Sequence, residues 1–232
     1  MGDTLMSRRA TWVATLMVVA LAPGLGAQSM DDATQQAAAT YSAWVEKLAE
    51  FTKGIEFDEG DLTSLIERYP EMQALDIAEA QGDVTDPAQF DTHMRQVLAE
   101  PDYRSWAGRN GLDPERWLRT VARITSVYMI VSTERSRPAA EAQRREFEAM
   151  VEEQCAQSDP ETCRSMREAL VQGDAMTEAM AKAQGKLPTP TAGERALMEQ
   201  HYDELTAAMG EDGGSSANES WDETEEYVDP EE

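Results

Sequence analysis

The stretch DPERWLRTVARITSVYMIV, residues 113–131, decides the fold. Asp113-Pro114 is a helix start, a side-chain cap followed by a proline whose fixed φ suits the first helical position. Trp117, Val121, Ile124, Tyr128 and Val131 then step by four, three, four and three, which lines one face of a helix. Leu118, Val127 and Ile130 widen that stripe beyond a two-helix seam, so this helix belongs at the centre of a bundle. Pro138 is expected to stop or interrupt it, because proline has no N–H to donate and its ring crowds the preceding turn.

Outward from this helix the same period recurs and no alternating strand pattern is found. Upstream, Asp86-Pro87 opens a helix carrying Phe90, Met94, Val97 and Leu98, and a short helix holds Tyr103, Trp106 and Ala107 before Asn110-Gly111. Nearer the N-terminus, Tyr41, Trp44, Val45, Leu48 and Phe51 share one face of a helix that Gly54 ends. Asp61 is expected to cap a helix with Leu62, Leu65, Ile66 and Tyr69, stopped by Pro70. Downstream, a helix over 138–156 should turn Ala140, Phe147, Met150 and Val151 inward. Ser158 and Glu161 stand at capping-box spacing before a helix with Met166, Leu170, Met176 and Met180. After the linker Lys186-Leu187-Pro188-Thr189-Pro190, Thr191 and Glu194 form a second capping box, opening a last helix with Leu197, Met198, His201 and Leu205 that Gly210 ends. The expected fold is all-α, an irregular bundle of about six or seven helices spanning 28–209. Within it, 28–86 is an acidic helical part and 87–209 the main bundle.

The flanks read differently. Residues 1–27 have the anatomy of a secretory signal: Arg8 and Arg9, an apolar run of 13 residues from Ala10 to Ala22, then Leu25-Gly26-Ala27 as a small-residue cleavage site. The run falls short of the ~20 residues a membrane-spanning helix needs, so cleavage after Ala27 is expected and an uncleaved anchor is the alternative. The expected destination is the periplasm or the exterior; Arg outnumbers Lys 16 to 4, a composition typical of GC-rich bacterial genomes. Residues 210–232 hold 10 acidic residues and no basic one. They cannot bury enough apolar area to offset ordering and are expected to be a disordered acidic tail.

The formal net charge of −25 argues against nucleic acid and anionic lipid as partners, because the summed field repels phosphate. The acidity is concentrated at the ends: residues 28–86 carry −11 and 87–209 only −5, with 11 Arg against 11 acidic residues between 101 and 167. Two partner-binding features follow. Trp221 and Tyr227 are aromatic anchors set in the acidic tail, either as a docking motif or as incidental members of a solubilising segment. Arg116, Arg119 and Arg123 form an arginine face on which that tail could fold back.

Chemistry is sparse. Cys155 and Cys163 flank a Ser-Asp-Pro turn between two helices, and in an oxidising compartment they are expected to form a structural disulfide, with a redox-active pair as the alternative. The two histidines, His93 and His201, lack the carboxylate spacing of a metal site, and Met176 with Met180 reads as core filling rather than as a copper site. No nucleophile elbow, phosphate loop or dinucleotide fingerprint is present. No cofactor, metal or catalytic residue is therefore expected. The expected function is that of an exported, non-enzymatic helical protein that binds a protein partner or an envelope component. The alternatives are an exported enzyme using scattered carboxylates, and a periplasmic chaperone or stress protein. The repeated Leu-Thr-x-x-Gln motif of the small spheroplast-protein type of chaperone does not occur.

Overall fold

A computed structural model of the chain describes residues 27–75 and 86–209. The signal-like segment and the acidic tail, with Trp221 and Tyr227, lie outside these residues. Among the described residues there are eight helices and no strand. They are α1 (Ala27–Phe51), α2 (Glu59–Gln73), α3 (Phe90–Ala99), α4 (Pro101–Arg109), α5 (Pro114–Cys155), α6 (Pro160–Gln184), α7 (Ala192–Gln200) and α8 (Tyr202–Met209).

The expected stripe is the core. Trp117, Ile124, Val127, Tyr128 and Val131 of α5 are buried together with Leu62, Leu65 and Tyr69 of α2, Tyr103 and Trp106 of α4, Met198 of α7 and Leu205 of α8. A second core forms on another side of α5, where Tyr41, Val45 and Leu48 of α1 meet Phe90 of α3, Ala183 near the end of α6 and Leu187 of the linker that follows. Ala122, Met129 and Ile130 of α5, with Met180 of α6, pack against it. The two cores thus flank the proximal half of α5, and the N-terminal acidic part contributes one helix to each.

Capping is where several boundaries shift. The α2 cap is Asp58, whose carboxylate accepts from Asp61 N at 2.9 Å. Asp61 is the third helical residue and its carboxylate returns a bond from Asp58 N, so the helix starts earlier than expected. Asp159, rather than Ser158, caps α6 by accepting from Glu161 N and Thr162 N, both at 3.0 Å. The Asp113 cap on α5 is as expected, accepting from Arg116 N at 2.8 Å. Asp86 caps a turn that runs directly into α3, accepting from Ala88 N at 2.9 Å. Gly54, with φ +73°, follows the end of α1, and Gly111, with φ +69°, follows α4; both take the left-handed conformation that only glycine enters without steric cost.

Two prolines do not act as stops. Pro70 lies inside α2 and Pro138 inside α5, which runs unbroken for 42 residues. Both rings are exposed, so water can take the carbonyl that each leaves without a helical donor. One expected helix is instead divided. At His201 the chain leaves helical geometry, and α8 starts with Tyr202 stacked on Tyr128, ring centroids 5.1 Å apart. The Tyr202 hydroxyl donates to Ser132 Oγ at 3.0 Å.

Candidate functional site

The three arginines of the expected face have different fates. Arg123 is 2% exposed, and its guanidinium is fully engaged inside the fold. Nε and Nη2 donate to the two carboxylate oxygens of Glu194 at 2.8 and 2.6 Å, while Nη1 and Nη2 donate to the carbonyls of Pro188 and Thr189 at 2.8 and 3.2 Å. Its place on a surface arginine face is therefore corrected, because a buried guanidinium needs a bidentate acceptor and has one here. Half-buried Arg119 donates to the carbonyls of Phe51 and Lys53 at 2.9 and 3.0 Å, closing the C-terminus of α1 where carbonyls lack helical partners. Only Arg116 of the three is exposed.

Glu194 links the anchor to α7. It is the third helical residue of α7 and closes the expected capping box, where Thr191 N donates to its carboxylate at 2.8 Å and Thr191 Oγ1 accepts from Glu194 N at 3.2 Å. Burial alone would push its carboxyl up; the bonds from Arg123 and from Thr191 N outweigh this and hold it below its ordinary value. The linker 185–191 is thereby pinned to α5.

Beyond Val131 the same helix changes character. Positions 134–150 of α5 are nearly all exposed, and past this point Val151 is its sole buried side chain. The distal half of α5 pairs with α6 as an antiparallel hairpin. Arg144 meets Asp174 at 2.7 Å and Arg167 meets Glu152 at 2.9 Å, which sets the register. Cys155 and Cys163 close its tip, with their sulfurs at the disulfide distance of 2.08 Å. At 1.5 Å per residue, the span from Val131 to Cys155 is about 36 Å. The hairpin forms an arm that continues α5 beyond the two-core body, with α1 packed against α6.

This arm carries the exposed large apolar side chains of the described residues: Phe147 at 46%, Met150 at 44% and Val171 at 67%. The expectation that Phe147 and Met150 point inward is overturned. Facing them across the hairpin, α6 offers only half-buried Met166, Leu170 and Met176, too little apolar volume to cover two faces of α5. The sequence signal was this low apolar density; helical periodicity alone cannot distinguish a core face from an exposed one.

At the base of the arm lies an open depression of about 430 Å³ lined by Val131, Glu134, Arg135 and Glu199. Two of its charges meet partners within the chain. Arg195 forms an ion pair with Glu134 and holds that carboxyl below its ordinary value, and the Arg135 guanidinium lies 4.0 Å above the Tyr202 ring. Elsewhere, His93 is buried, and burial lowers its pKa. His201 Nδ1 lies 2.8 Å from Glu204. Among the described residues no three His, Cys, Asp or Glu side chains are grouped to hold a metal ion. Among the described residues it is the arm, and not the depression, that carries the large exposed apolar side chains. Comparison with protein-family models, with curated proteins and with solved structures finds no match to this chain.

Proposed function

We propose that this is an exported, non-enzymatic helical protein whose body serves as a scaffold and whose α5–α6 arm binds a protein partner or another envelope component. The observation that carries this reading is the exposure of Phe147, Met150 and Val171 on a hairpin whose register and tip are otherwise held. Exposed apolar groups on a stiff element suit recognition, since little conformational entropy remains to be lost on binding. Export is supported by the signal-like start and by a cysteine pair at bonding distance, an arrangement favoured in oxidising compartments. No helix of the described residues is long and apolar enough to cross a membrane.

The carboxylate-enzyme alternative draws no support from the acids of the described residues. A general acid needs a raised pKa, whereas the carboxylates with resolved shifts, Glu134, Asp159 and Glu194, are all lowered by their hydrogen-bond partners. The binding reading is tested with a photo-crosslinking residue at position 147 and, as control, at exposed position 178, in cells expressing the full chain. A discrete adduct at 147 and none at 178 is expected; identical patterns at both positions would refute a binding role for the arm.

A further inference from the structure

The exposed side of distal α5 is organised. Ser136, Ala140, Gln143, Phe147, Met150 and Gln154 are all exposed and recur at spacings of three and four, so they share one face of the helix over about 27 Å. All 10 charged residues between 134 and 155 lie off this stripe. On a helix this rich in charge, an uncharged seam has the pattern of a helix-pairing surface. Val171, level with Phe147 in the hairpin register, belongs to α6 and is not part of it.

The charges beside the seam change sign along it. Arg135 and Arg137 stand at the end nearer the body and Glu153 at the tip, whereas Glu152 lies on the far side of the helix, paired with Arg167. That polarity complements its own reverse. We propose that the occupant of the seam is a second copy of this chain, its α5 laid antiparallel on the first. This rests on the reading of the arm as a binding element and names its partner. With Phe147 set against the second copy's Ala140, large against small, the two-fold axis falls between Gln143 and Arg144. Met150 then lies beside the second copy's Ser136, and Arg135, which within its own chain rests on Tyr202 and near Asp203, comes close to level with the second copy's Glu153. A parallel pairing would place like charges opposite each other. The contact is isologous, so it closes at a dimer. Two helices meeting along one seam bury less than the ~1,600 Å² of a standard interface, so the dimer is a weak, reversible one. The copies also repel through their net charge of −25, and the dimer should therefore strengthen when salt is raised from low to moderate levels.

Sedimentation velocity of the full chain over a range of concentrations tests the pairing, with circular dichroism confirming that each variant is folded. Concentration-dependent dimerisation is expected. Phe147→Glu and Met150→Glu should each weaken it tenfold or more, and Arg135→Glu should weaken it less. Adding Glu153→Arg to Arg135→Glu should restore it, and Val171→Glu should leave it unchanged. A chain that stays monomeric at all concentrations, or a dimer indifferent to Phe147→Glu, overturns the proposal. The crosslinker at position 147 separates the two readings. An adduct of twice the chain mass supports self-pairing. An adduct to a different protein without self-adduct overturns self-pairing and leaves the binding reading standing. No adduct at all, with a monomer in solution, overturns both.

Discussion

The two halves of α5 use one helix for opposite purposes. From Trp117 to Val131 the helix is the wall between two cores, with Ile124 and Val127 fully buried and a charged side chain, Arg123, enclosed with them. From Glu134 to Met150 it is nearly all exposed and is held by ion pairs to α6 and by the cysteine pair at its tip. Both halves have helical apolar spacing, yet only the first has neighbours on every side. A periodic stripe thus identifies a face, and the number of elements supplied by the rest of the chain decides whether that face becomes core.

The comparison predicts a steep gradient in mutational cost along one helix. The largest effect belongs to the anchor. Arg123→Ala or Glu194→Ala strands a buried charge and should cost about 3–5 kcal/mol in urea unfolding. Replacing both partners together should cost less than the two single losses combined, which a double-mutant cycle measures. If Arg123→Ala cost no more than a surface substitution, the division between body and arm would collapse.

Second is the proximal core, where Ile124→Ala should cost about 2–5 kcal/mol through lost burial and a residual cavity. Third is the tip. A loop of about nine residues closed by a disulfide restricts the unfolded chain by roughly 2.5 kcal/mol in the chain-entropy model, so reduction should lower the thermal midpoint. Hydrogen exchange should show that loss first in 140–170 while 117–131 stays protected. Uniform deprotection would mean that arm and body unfold as one unit.

Acid should act on the body. Glu194 has a folded pKa below its ordinary value of 4.5, so its contribution to stability is present above that value and is lost as pH falls through the folded one. Wild-type and Glu194→Gln chains should therefore converge in stability as the solution is acidified; parallel pH profiles would remove Glu194 from the anchor. The smallest effect is expected on the arm face, where Phe147→Ser should change stability by no more than about 0.5 kcal/mol. A cost near that of Ile124→Ala would place Phe147 in a packed environment and remove the basis for a binding arm.

Local chemistry made much of the fold legible in advance. The central stripe, the caps at Asp113 and Thr191, the turns at Gly54 and Gly111 and the pairing of Cys155 with Cys163 all depend on residues close together in the chain. Their conformational preferences act before any tertiary contact forms. The site was less legible. Arg123 read as a surface cation because its partners, Pro188, Thr189 and Glu194, lie more than 60 residues away. Phe147 and Met150 read as core because their spacing matches that of the buried stripe.

By itself the sequence determined an all-helical chain, the helix that organises it and the uneven distribution of its charge. Periodicity, capping and composition are properties of neighbouring residues, so they can be read without coordinates. Only the tertiary structure decided which stripe is enclosed, that α5 continues through Pro138, and that a buried arginine pins the linker before α7. Those outcomes depend on how much apolar surface distant segments bring to each face and on whether a guanidinium finds its acceptors there, and neither quantity is local to the residues concerned.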